Sequence, residues 1–190
     1  MATHFSAKQA AILKTLSAML ERPDAGRITT AALAHEMGQS EAALYRHYSS
    51  KAAIFAGLIA LVGDQILEDL THIAITEAQG RPRLRKQVHA LLLFVERHRG
   101  AARVLTGGAL AGEAPALQEQ ANALLREVER MLAESARLGM EQGELPGGDA
   151  GPRAEVLLLY VLGRWLRYAQ SGWQAAPTGN FRQQLELLGL

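Results

Sequence analysis

ITTAALAHEMGQSEAALYRHYSSK, Ile28–Lys51, reads as two short helices joined by a tight turn, the layout of a helix-turn-helix. Two helices that cross closely need a small residue at the crossing, and Ala34 stands there. The turn needs a residue that accepts positive φ, which Gly38 does without steric cost. Leu44 is the apolar anchor of the second helix. Thr29 or Thr30 caps the first helix, and Ser40 caps the second, with Glu41 to Ala43 as its first turn. Leu33 and Met37 share one face, as do Leu44 and Tyr48, and these four form the expected inner seam. Glu41, Ala42, Ala43, Tyr45, Arg46 and His47 are left for the outer surface, which such a motif lays in the DNA major groove.

Outward from this motif, nearly everything reads as helix. Upstream, Ile12, Leu16, Met19 and Leu20 make a helical stripe over about 6–21, ended by Pro23 and Gly26. Downstream, Ser49-Ser50-Lys51 opens a long helix over about 51–73, with Ile54, Leu58, Leu61, Ile66 and Leu70 along it. Gly80 and Pro82 punctuate, and a fifth helix follows over about 83–98. The short segment 101–111 contains Gly107-Gly108. Pro115 starts a long helix to about 142, Gln142–Pro152 is a loop, and helices follow over about 153–171 and from about 179. No strand pattern and no internal repeat is present. The expected fold is all-α: a three-helix head, residues 1–50, on a helical body, residues 51–190. Leu157, Leu158, Val161, Leu162 and Trp165 form an apolar face broader than one small core needs, and Gly163 permits close approach. With Leu185, Leu188 and Leu190, this face predicts a homodimer through a C-terminal four-helix bundle, the alternative being a helix buried inside one chain.

Composition bounds the chemistry. The chain has 190 residues, 48% of them apolar, enough for a sizeable core. Net charge is +1, which neither demands nor excludes nucleic acid. Within the first 51 residues, Lys8, Lys14, Arg22, Arg27, Arg46 and Lys51 face Glu21, Asp24, Glu36 and Glu41, so the head is modestly basic. The absence of cysteine excludes disulfide and thiol chemistry and fits a reducing compartment. The N-terminal residues lack a basic cluster followed by an apolar run, so no signal peptide is expected. The longest apolar stretch, Val156–Gly163, falls far short of the roughly 20 residues of a membrane span. His35, His72, His89 and His98 show no metal-ligand spacing, and Glu68 with His72 supplies only two ligands, so no metal and no cofactor is expected. Pro146–Gly151 lacks the Lys-Ser/Thr of a phosphate-binding loop. No nucleophile–base pair and no carboxylate pair stands out, so the chain does not read as an enzyme. Arg103 and Thr106 have two readings, as the lining of a small-molecule pocket or as internal caps near Gly107-Gly108.

ITTAALAHEMGQSEAALYRHYSSKAAIF, and LYRHYSSK within it, resembles the head of TetR-type regulators over about residues 10–60. RITTAALA, SEAALYRHYSSK and ERHRGAARVLTGGAL, the last at residues 96–110, resemble the nucleoid occlusion factors of that family. The last block lies in the body, where TetR-type chains usually diverge, and is the more informative. The resemblance implies that Tyr45, His47 and Lys51 contact phosphates and that Thr30 makes a backbone contact. The chemistry suits this: a phenol and an imidazole donate to phosphate oxygens, and Lys51 stands at a helix N-terminus that itself favours anions. Ala42 and Ala43 are small enough to let the helix approach a thymine methyl, and Arg46 can take guanine or phosphate. Ser40 and Glu41 complete the expected DNA-facing set.

The resemblance further implies that the protein, bound to double-stranded DNA at dispersed chromosomal sites in the cytoplasm, engages the tubulin-like division GTPase FtsZ and disrupts its polymers. The tail of FtsZ would contact the fourth and fifth helices, which here include Leu61, Gln65, Asp69, Ala90, Phe94 and Arg97. Asp69 is an acidic departure where a basic face suits an acidic partner. A rival reading on the same fold is a ligand-released transcriptional repressor. A helical interaction module without DNA binding is the third, and the presence of Tyr45, His47 and Lys51 argues against it.

Overall fold

The structure is a computed structural model that describes residues 3–23 and 25–190; Asp24, counted above in the head's charge, lies outside the described residues, as do the first two. Every regular element among them is a helix: α1 Ala7–Leu20, α2 Thr30–Glu36, α3 Glu41–Tyr45, α4 Lys51–Thr76, α5 Gly80–Arg97, α6 Arg99–Leu105, α7 Pro115–Glu141, α8 Ala150–Gln170 and α9 Phe181–Leu187. The fold is all-α, as the sequence led us to expect. Packing divides the chain into two compact units, residues up to 64 with 98–122, and residues 65–97 with 123–190. α6 thus shares a packing unit with α1, α2 and α3.

In the first unit, α1 opens with a capping box in which Ser6 and Gln9 satisfy each other's backbone N–H groups. Ile12, Leu13, Leu16, Met19 and Leu20 of α1 are buried, and α1 packs on α2 and α6. Gly38 (φ +63°) ends α2. Its N–H bonds to His35 O, and Gln39 N–H reaches back to Ala34 O, both at 3.0 Å. This double closure turns the chain into α3 within three residues. Arg103 of α6 donates to the carbonyls of Pro23 and Ala25, each at 2.8 Å, and so holds the α1–α2 connection. Thr106 Oγ1 donates to Ala102 O. Both residues thus cap backbone; Arg103 also lines a cleft of about 290 Å³ with Arg27, Ile28 and Gly108, while Thr106 does not.

In the second unit, α5 packs on α8, and the buried Trp165 indole N–H donates to Leu91 O at 3.0 Å. Trp173 (φ +69°) follows the end of α8 and meets Tyr168 edge to face. Gly80 and Pro82, expected to separate helices, lie in the first turn of α5 instead. A proline's missing N–H costs nothing there. The free N–H groups of Gly80 and Arg81 are taken by Gln142 Oε1 (2.7 Å) and Glu144 Oε2 (2.8 Å), caps more than 60 residues away. A Cβ at Gly80 would stand 2.0 Å from Gly139 N and 2.4 Å from its Cα, backbone that cannot turn aside. Gly80→Ala is therefore expected to destabilise the protein by roughly 2 kcal/mol or more; a thermal melt unchanged from the parent would show that α5 and α7 do not meet this closely.

The expected dimer face needs correction. Leu157, Leu158, Val161 and Trp165 are buried in the chain's own core, as are Leu185 and Leu190, while Leu162 and Leu188 are half-buried. The apolar side chains that α8 leaves in solvent are Val156 (50% exposed), Leu159 (59%) and Leu166 (43%). With exposed Gly163 between them, they follow one another along a single face at helical spacing.

Candidate nucleic-acid interface

Local caps build the head. Thr29 Oγ1 accepts from Ala32 N–H at 3.1 Å, so Thr29 rather than Thr30 caps α2. Ser40 Oγ accepts from Ala43 N–H at 3.3 Å and caps α3. Leu33, Ala34, Leu44 and Tyr48 are buried and Met37 is half-buried, which makes the expected inner seam. Glu41, Ala42, Tyr45, Arg46 and His47 are exposed and Ala43 is half-buried. Tyr45 is 45% exposed, so it is not a core aromatic; that role belongs to Tyr48, whose buried phenol has its pKa pushed up by desolvation.

The polar groups on this face fall into two clusters. Thr30 Oγ1 donates to Glu41 Oε2 at 2.6 Å and receives Tyr45 OH at 3.3 Å, so Thr30, Glu41 and Tyr45 form one chain of contacts from α2 to α3. Glu41 thus orients the Thr30 hydroxyl rather than standing free. Arg46 and His47 make no side-chain hydrogen bond among the described residues and are open to a ligand; the His47 carbonyl accepts from Gln9 Nε2 at 3.3 Å. The second cluster was not legible in the sequence. Lys51 Nζ lies 2.5 Å from Glu113 Oε1, and its ammonium sits 5.5 Å from the Phe55 ring centroid. Arg27 Nε reaches the same Glu113 oxygen at 3.4 Å. Glu113 is in the connection between α6 and α7, 62 residues from Lys51, and no local pattern marks it.

Of the residues expected at a partner surface, Leu61 is half-buried in the first unit. Gln65, Phe94 and Arg97 belong to the second, where Gln65 and Arg97 are exposed. Phe94 is only 6% exposed and serves chiefly as core. Among the described residues, no group of three or more His, Asp or Glu is gathered to hold a metal, and no helix is long and apolar enough to cross a membrane.

A head of this geometry is that of the tetR family of bacterial regulatory proteins, whose pattern residues 12–58 match. Residues 78–189 match the SlmA-like "Tetracyclin repressor-like, C-terminal domain". The chain is 40% identical, over 91% of its own length and 88% of the relative's, to the nucleoid occlusion factor SlmA of Shewanella amazonensis. It belongs to the SlmA family of TetR-type regulators. The SlmA of Shewanella frigidimarina is 39% identical over the same shares of both chains. At the level of fold, the chain resembles the fatty acid degradation regulator FadR of Bacillus halodurans, with a TM-score of 0.83 at 13% identity over 98% of this chain and 96% of that one. As a SlmA homologue, the chain carries a TetR-type DNA-binding fold and stands among DNA-binding regulators rather than enzymes.

Proposed function

We propose that this protein is a nucleoid occlusion factor that binds duplex DNA as a homodimer on the nucleoid, in the cytoplasm, and inhibits assembly of the FtsZ division ring. The observation that carries the reading is the 40% identity to a SlmA over both the head and the body. In this reading, residues 1–50 are the DNA-binding domain and 51–190 the regulatory and dimerisation domain. Ala42, Ala43 and Arg46 meet base edges; Thr30, Tyr45, His47 and Lys51 hold phosphates; Ser40 and Glu41 fix the start of α3. The two copies of α3 would stand about 34–36 Å apart, one turn of DNA. The dimer forms through the exposed face of α8, Val156, Leu159, Gly163 and Leu166, rather than through the buried one.

The division partner is expected to dock through its C-terminal tail on the α4–α5 surface, with Arg97 as a cationic contact. Asp69 and Glu68, both exposed nearby in sequence to Gln65 on α4, oppose an acidic tail. Affinity is therefore expected on the order of micromolar or weaker, raised where several dimers are held close on DNA. The test is anisotropy of a labelled FtsZ tail peptide with the wild type and with Arg97→Asp, with and without site DNA. Wild-type binding that the variant loses supports the reading. No binding in either condition, together with a small molecule that releases the protein from DNA, makes it a ligand-responsive repressor instead.

A further inference from the structure

We propose that Glu113 is an internal substitute for a DNA phosphate, which occupies Lys51 in the free protein and holds down its affinity for duplex DNA. This rests on the reading of Lys51 as a phosphate contact. The Lys51 side chain is 22% exposed and that of Glu113 only 8%, so the pair is poorly screened by solvent. One carboxylate oxygen, Oε1, takes Lys51 at 2.5 Å and Arg27 at 3.4 Å. Arg27 also donates to Gly112 O at 3.3 Å, so two cations from either side of the helix-turn-helix converge on one short connection. That connection is held by Glu113 N–H to Leu110 O at 3.0 Å and by positive φ at Gly112 (+76°), which brings the carboxylate to the head by backbone shape rather than by a mobile arm.

The arrangement sets one anion against another. A carboxylate with two cations at hydrogen-bond distance or just beyond has the partners that a phosphate oxygen seeks. DNA that contacts Lys51 must displace Glu113 or bring its phosphate up against it, and either weakens binding. Because this contact carries no sequence information, Glu113 lowers affinity for every duplex alike. Coupling of this kind is reciprocal. Any event that draws the 106–114 connection away from Lys51 tightens DNA binding, and DNA binding in turn frees the connection.

The test uses the full chain and a labelled mixed-sequence duplex, with anisotropy followed over a salt series for the wild type, Glu113→Gln, Lys51→Ala and the double variant. Glu113→Gln is expected to bind roughly fivefold tighter at low salt, while Lys51→Ala weakens binding, and the salt slope of Lys51→Ala is expected to be shallower than that of Glu113→Gln by about one unit, with the wild type between them. The double variant is expected to match Lys51→Ala alone, because Glu113 acts through that lysine. If Lys51→Ala weakens binding but Glu113→Gln binds no tighter than wild type, this inference falls and the role of Lys51 stands. If Lys51→Ala binds like wild type, both fall. Should Glu113→Gln fail to fold, Glu113→Asp replaces it: the charge stays but is drawn back from Lys51. Tighter binding is again expected, and equal or weaker binding overturns the proposal.

Discussion

Ala43→Glu is expected to abolish specific duplex binding while leaving the fold intact. Ala43 stands half-buried in the first turn of α3, on the side that the proposed binding mode turns to the groove. Glutamate is a good helix former, so α3 itself is not threatened. The damage comes from bringing a carboxylate against the phosphate-lined groove, where juxtaposed like charges cost several kcal/mol. Affinity for sites recovered by chromosomal mapping should drop by at least about a hundredfold, with far-UV circular dichroism unchanged. A variant that holds its site as the parent does would mean that α3 does not enter the groove at this residue.

The second large effect is expected from Leu159→Asp combined with Leu166→Asp. Both side chains are substantially exposed in the single chain, so charging them leaves its core untouched. In a dimer built on this face they would be buried and unpaired, a cost that two small apolar faces cannot offset. Light scattering should report a monomer. DNA affinity should fall as well, by roughly a hundredfold or more, because the second head no longer profits from the first head's attachment. A variant that remains dimeric would move the interface off α8.

What the sequence made legible followed the range of the interactions. The head was readable because its determinants are local: Ser40 and Gly38 act on residues at most five positions away. The body was harder. α8 is apolar on two faces, and only the position of α5 tells which one turns inward, so the sequence alone leaves Leu157, Val161 and Trp165 open to both a dimer surface and the chain's own core. Gly80 and Pro82 read as a break because the groups that cap α5, Gln142 and Glu144, come from the turn that follows α7. α6 was passed over because Arg99–Leu105 is only seven residues long and stands beside Gly107-Gly108. The pairing of Lys51 with Glu113 has the same cause: a contact across 62 positions leaves no periodicity to find.

Trp165 and Trp173 are the chain's only two tryptophans, and both fall in the second packing unit. The first unit has Tyr45 and Tyr48 but no indole. The molecule is therefore spectroscopically partitioned. Intrinsic tryptophan emission follows one half of the chain, whereas loss of the head's helices registers in far-UV dichroism without disturbing that emission. Coincident denaturation midpoints from the two signals would make unfolding a single cooperative event, and separated midpoints would give each half its own stability. With no cysteine in the chain, one introduced on α3 would accept a dye at that position alone and give the silent half a signal.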